Sequence, residues 1–162
     1  MKRIIIHHTG GSYEPNPVDK KAYHFLVQED GFIQDGVYKP EDNENCNDGK
    51  YAAHTLKGNT GSIGVACCCN FNYSMKAPET STKYPLTQKQ FEATCKLCAT
   101  LCKKYKINVN SIYTHYEFDI LHNIKQGKSD ITYLPFRPDL KPSQIAPYFR
   151  AKINWYLTKL NK

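Results

Sequence analysis

Three consecutive isoleucines, Ile4 to Ile6, run directly into His7 and His8, and the chain then meets Thr9-Gly10-Gly11. A run of β-branched side chains favours extended backbone packed against neighbours, so Arg3 to His8 reads as a short apolar strand. Successive side chains on a strand point to opposite faces. His7 therefore shares a face with Ile5, while His8 shares the other with Ile4 and Ile6. The two imidazoles cannot both enter one pocket from a regular strand, and the glycines let the backbone turn away immediately afterwards.

The rest of the chain alternates strand and helix signals. Ala22 to Lys39 reads as a hairpin around Glu29-Asp30-Gly31, with Phe32, Ile33 and Val37 on its return strand. Lys39 to Lys50 is too rich in Asn, Asp and Gly to be an element, and Asn72 to Pro85 is a second irregular loop. Gly61 to Cys68 reads as another buried strand. Thr87, with Gln90 three residues on, forms a capping box that opens a helix, and Lys103, Lys104 and Lys106 suit its negative end. Ser111 to Phe118 reads as a strand running into a loop. After a Pro-rich stretch, a final helix runs from about Gln144 to Leu160, with Phe149, Ile153, Tyr156, Leu157 and Leu160 as its apolar stripe. No repeat or linker divides the sequence. One α/β domain over residues 1–162 is expected.

Composition narrows the function classes. The 22 Lys+Arg against 15 Asp+Glu give +7, which favours an anionic partner. No zinc-finger spacing or dense Lys/Arg stripe points to nucleic acid, and a solvated basic face accounts for the lysines of Lys96 to Lys106. No apolar run approaches membrane-spanning length. The N-terminus lacks a secretory signal pattern, so synthesis in the cytosol is expected. Of the seven cysteines, Cys67 to Cys69 follow a buried strand, and Cys95, Cys98 and Cys102 recur at helical spacing with Phe91 and Tyr105. Both patterns suit free thiols acting as small hydrophobes. A zinc site on Cys95 and Cys98 would want further ligands of matching type, and none is evident. Cys46 falls in a polar loop.

The six histidines are scattered, with no compact metal signature. His7 and His115, however, each stand at the end of an apolar strand. Ends of neighbouring strands converge at one rim of a sheet, and two imidazoles with one carboxylate make a zinc site with the fourth position open.

These residues carry a resemblance. "IIIHHTGG", "AYHFLVQEDGFIQDG", "AAHTLKGNTGSIGVA", "YTHYEF" and "GKSDITYLP" occur in the order and approximate spacing of the type-2 N-acetylmuramoyl-L-alanine amidases. That family includes amidase-type phage lysozymes, cytosolic muropeptide amidases and animal peptidoglycan recognition proteins. The resemblance covers roughly residues 3–136. It implies a peptidoglycan-recognition-protein-like fold, a central mixed β-sheet flanked by helices, and one bound Zn2+. It also implies hydrolysis of the amide joining the muramic acid lactyl group to L-alanine in peptidoglycan or muropeptides. No nucleic acid, no membrane insertion and a monomeric state are expected.

Carried over position by position, the resemblance makes the metal ligands His7, His115 and Asp130. Strand alternation supports His7 over His8. Lys128, two residues before Asp130, corresponds to a lysine that stabilises the oxyanion, and Tyr23 of "AYHF" to a tyrosine near the zinc of the phage lysozymes. The muropeptide amidases use a glutamate where this chain has Ala66, which aligns it with the phage-lysozyme mechanism. His54 matches a site-lining histidine expected to bind substrate, and Asn59 is a turn residue that touches substrate beside it. The stretch from His115 to the third ligand is longer than in compact members, and Asp119 and His122 within it are alternative donors. Asp130 is preferred because "GKSDI" keeps the Lys-x-Asp pairing. An endolysin that acts on the cell wall after release is the expected role. A non-catalytic peptidoglycan-binding module on the same fold is the alternative, and a delivered effector amidase would share the chemistry.

Overall fold

The computed structural model describes residues 1–162. Its centre is a five-stranded mixed sheet in the order β3-β2-β4-β1-β5. The strands are β1 (Arg3–His8), β2 (Phe25–Val27), β3 (Ile33–Asp35), β4 (Ser62–Cys67) and β5 (Ile112–Thr114). β1 lies parallel between β4 and β5, β2 is parallel to β4, and only β3 is antiparallel. β4 is buried along its whole length, as its unbroken run of small and apolar residues requires.

The two faces of the sheet do different work. Ile4, Ile6, Val27, Ile63, Val65, Cys67 and Ile112 belong to the main core, beneath α2 (Gln88–Tyr105) and α4 (Pro142–Leu160). Phe91, Cys95, Cys98 and Cys102 face it from α2, and Phe149 and Ile153 from α4. Burial of this apolar surface, at roughly 25 cal/mol per Å², is the main stabilising term. The opposite face is mixed, with fewer apolar residues. There Gly64 and Ala66 pair with Ile5 and His7, and Leu26 and Cys68 complete a minor cluster beside Tyr23.

The hairpin forms, with Gly31 at a φ of +87° in its turn, but it is shorter than expected: Ala22 ends a helix, and Phe32 and Val37 lie exposed outside the return strand. The capping box at Thr87 closes as expected, and α2 ends on Lys106 in the left-handed region. Four other sequence expectations need correction. Ser111 to Phe118 does not run from strand into loop: Thr114 caps a helix, α3 (His115–Leu121), its hydroxyl accepting from the Glu117 backbone N–H at 3.2 Å. Pro40–Glu44, inside the expected polar loop, is a short 3-10 turn. Asn16 opens an unforeseen helix, α1 (Pro17–Ala22), whose Asp19 side chain completes the capping box. Finally, α4 starts two residues earlier than expected, at Pro142.

All cysteines are free thiols, and all but Cys46 are buried. Burial pushes the thiols of Cys67 and Cys68 up to about 12, so they behave as the apolar fillers the pattern implied. No helix is long and apolar enough to cross a membrane.

Candidate metal centre

The sheet order brings the site together. Ile6 pairs with Thr114, so the next residues on the two strands, His7 and His115, leave the same rim side by side. His115 opens α3 and is buried; His7 is wholly inaccessible. The loop after α3 returns to this rim because the Tyr116 N–H donates to the Asp130 carbonyl at 2.7 Å. Ile131 and Leu134, both fully buried, anchor the chain beyond Asp130.

His7, His115 and Asp130 converge. His7 Nδ1 lies 3.1 Å from His115 Nδ1 and 3.0 Å from Asp130 Oδ2, and the third side of the triangle, His115 Nδ1 to Asp130 Oδ2, is 3.3 Å. Ligands placed tetrahedrally at about 2.0–2.1 Å from a zinc ion stand about 3.3 Å apart. The donor set and its spacing therefore fit a zinc ion, and all three side chains are buried. Protonation states agree. Burial lowers the His7 pKa to about 4, leaving the ring neutral with a lone pair to give. Burial alone would raise the Asp130 carboxyl, but in the metal-free protein hydrogen bonds from His115 and His7 outweigh it and hold the group well below the usual carboxylate range.

A cleft of about 210 Å³ opens on this group and is lined by His8, Tyr23, His54 and Lys128, among others. Tyr23, at the C-cap of α1, places its ring 5.0 Å from that of His7. Burial, then the nearby Asp130 charge, pushes its hydroxyl far up, so it stays protonated. Lys128 is exposed at the mouth. His8 also lines the cleft, its Nδ1 accepting from Asn70 Nδ2 at 2.9 Å.

His54 is buried behind His7, with its Nδ1 3.1 Å from His7 Nε2 and 2.8 Å from the Thr55 hydroxyl. A Cβ on Gly64 would fall 2.7 Å from the His54 ring, so the bare backbone of β4 is what admits this imidazole. Asn59 shapes the loop that carries it: its Oδ1 accepts from the backbone N–H of His54 and Thr55 at 2.9 and 2.8 Å. Asn59 does not itself line the cleft.

The alternative donors stand apart from the group. Asp119 sits one helical turn beyond His115, its Oδ1 3.4 Å from the outer nitrogen, Nε2, of that ring. His122, at the end of α3, stacks on Phe118 at 4.0 Å and donates from Nδ1 to the Phe118 carbonyl at 2.9 Å. A loop in place of α3 hides the contact between Asp119 and His115. The Thr114-x-x-Glu117 start signal is the sequence clue to it.

Fold and site together define a class: an α/β domain with a buried two-histidine, one-carboxylate group at the rim of a mixed sheet, open to a polar cleft. The sequence pattern of the N-acetylmuramoyl-L-alanine amidases matches residues 1–132, and the chain belongs to that family. Among solved structures it is similar to the N-acetylmuramoyl-L-alanine amidase LysC from Clostridium intestinale, with a TM-score of 0.57, 20% identity, and 94% of this chain and 85% of that one covered. It is also similar to PlyL (TM-score 0.52, 18% identity, 94% and 82% covered). Peptidoglycan recognition protein SD of Drosophila shares the fold more distantly (TM-score 0.50, 17% identity, 72% and 69% covered). No curated protein matches the chain by sequence.

Proposed function

We propose that this protein is a zinc-dependent N-acetylmuramoyl-L-alanine amidase of the endolysin type. Its bond would be the amide between the muramic acid lactyl group and L-alanine in peptidoglycan. The observation that carries this reading is the triangle of His7 Nδ1, His115 Nδ1 and Asp130 Oδ2, at 3.0–3.3 Å, facing a cleft.

When bound by these three residues, zinc would supply a Lewis acid that acidifies water and polarises the scissile carbonyl. The chain's own groups do the rest. Neutral His7 and ionised Asp130 keep their lone pairs available at neutral pH. The Tyr23 hydroxyl, held protonated by burial, donates a hydrogen bond to the carbonyl oxygen as negative charge develops there. The Lys128 ammonium at the cleft mouth adds electrostatic stabilisation to the same charge. His54, placed at the cleft wall, contributes to the substrate's surroundings as well as holding His7, while Asn59 fixes the loop beneath it. The net charge of +7 draws the protein to an acidic cell wall.

The convergence of all three donors beside a cleft lined by Tyr23 and Lys128 supports catalysis over a binding-only module. Incubation of the purified protein with peptidoglycan, followed by mass analysis, tests this. Free L-alanine amino ends are expected, lost on chelation, restored by zinc and absent with His7→Ala. New reducing sugar ends without released stem peptides would overturn the assignment.

A further inference from the structure

We infer that Asp119 is a positioning residue of the metal centre: its carboxylate accepts a hydrogen bond from His115 Nε2–H and so fixes which nitrogen of that ring faces the metal. The inference rests on the proposal that His115 is a ligand.

Three observations lead to it. His115 and Asp119 stand four residues apart on α3, which puts both side chains on one helix face. Asp119 is buried, and neither of its carboxylate oxygens has a hydrogen-bond partner; the same is true of His115 Nε2. A buried carboxylate without a partner is costly, and so is a buried N–H, yet these unpartnered atoms face one another at 3.4 Å. A shift of a few tenths of an ångström would join them.

The tautomer follows from the other side of the ring. His115 Nδ1 is the atom that faces His7 and Asp130. A neutral imidazole carries one proton, so a ring that ligates through Nδ1 holds it on Nε2, the atom facing Asp119. The imidazole lies between Asp119 and the metal position, which excludes the carboxylate from direct ligation. Carboxylate partners of this kind hold ligand rings in orientation and raise their basicity, and their loss costs about 10–100-fold in metal affinity.

The test is zinc affinity by chelator competition on wild type, Asp119→Ala, Asp119→Asn and His115→Ala, with the melting temperature of each metal-free protein measured alongside. Asp119→Ala should bind one zinc about 10–100-fold more weakly than wild type. The melting temperature of each metal-free variant shows whether weaker binding reflects a lost fold instead of a lost contact. Asp119→Asn keeps an oxygen acceptor and should recover part of the affinity; it also serves if the alanine variant fails to fold. Wild-type affinity in Asp119→Ala would overturn the inference. So would loss of zinc as complete as in His115→Ala, which would make Asp119 a ligand. A wild-type protein that takes up no zinc would instead overturn the metal centre itself, and this inference with it.

Discussion

His7 Nε2 lies 3.1 Å from Nδ1 of His54, on the side of the ring away from His115 and Asp130. If His7 holds a metal through Nδ1, its one proton sits on Nε2 and is donated to His54, which would then fix that tautomer. His54→Ala should weaken zinc binding by about tenfold or more. Chelator competition would show it. A variant with unchanged zinc affinity and only a raised KM would leave His54 as a substrate contact alone.

Gly64 is the condition for that contact. Gly64→Ala drives a methyl group to 2.7 Å from the His54 ring, in a place where nothing can yield without moving β4 or the ring. Overpacking of this kind costs about 1–3 kcal/mol. Denaturant unfolding should show that loss, and the zinc affinity should fall with it, because a displaced His54 releases His7.

His24 should make stability depend on pH. Its Nδ1 accepts from the Gly64 N–H and its Nε2 donates to Asn43 Oδ1, both at 2.9 Å, so the ring is satisfied only when neutral. Burial lowers its pKa to about 4 from the ordinary 6.5. Above pH 6.5 the ring is neutral whether the chain is folded or not. Below it, the unfolded chain takes up a proton that the folded one refuses, so stability is lost as pH falls toward 4. At pH 5 this one group accounts for about 2 kcal/mol. Urea unfolding at pH 7 and pH 5 should show a smaller acid loss in His24→Gln than in wild type, although the variant is weaker at pH 7.

Arg150 ties the C-terminal helix to the helix that carries His115. Its guanidinium meets both carboxylate oxygens of Glu117, at 2.6 and 2.9 Å, and donates to the Ile112 carbonyl at 2.8 Å. Such paired, part-buried, charge-assisted bonds are worth about 1.5–3 kcal/mol. Arg150→Met should lower the melting temperature accordingly. A truncation before α4 should be worse, since it also strips Phe149 and Ile153 from the core.

Much of this architecture is legible in the sequence. β1 is built on three consecutive isoleucines, β4 is an unbroken run of small and β-branched residues, and the start of α2 carries its own capping box. His7 and His115 are readable as strand-end residues, and Asp130 only through the Lys-x-Asp resemblance. The short helices are not legible. Six or seven residues give too few turns for an apolar period to show, so α1 and α3 hang on the caps Asn16 and Thr114 alone. Without α3, Asp119 reads as a rival ligand when its place is behind His115. The grip of His54 on His7 depends on a glycine in a different strand, a relation with no local signature.

The most direct measurement is a zinc-loaded crystal structure with anomalous scattering collected at the zinc edge. One peak is expected, within about 2.0–2.2 Å of His7 Nδ1, His115 Nδ1 and an Asp130 carboxylate oxygen, with the fourth position facing the cleft. A peak bonded through Asp119 or the buried cysteines, or none in protein supplied with stoichiometric zinc, would contradict the account.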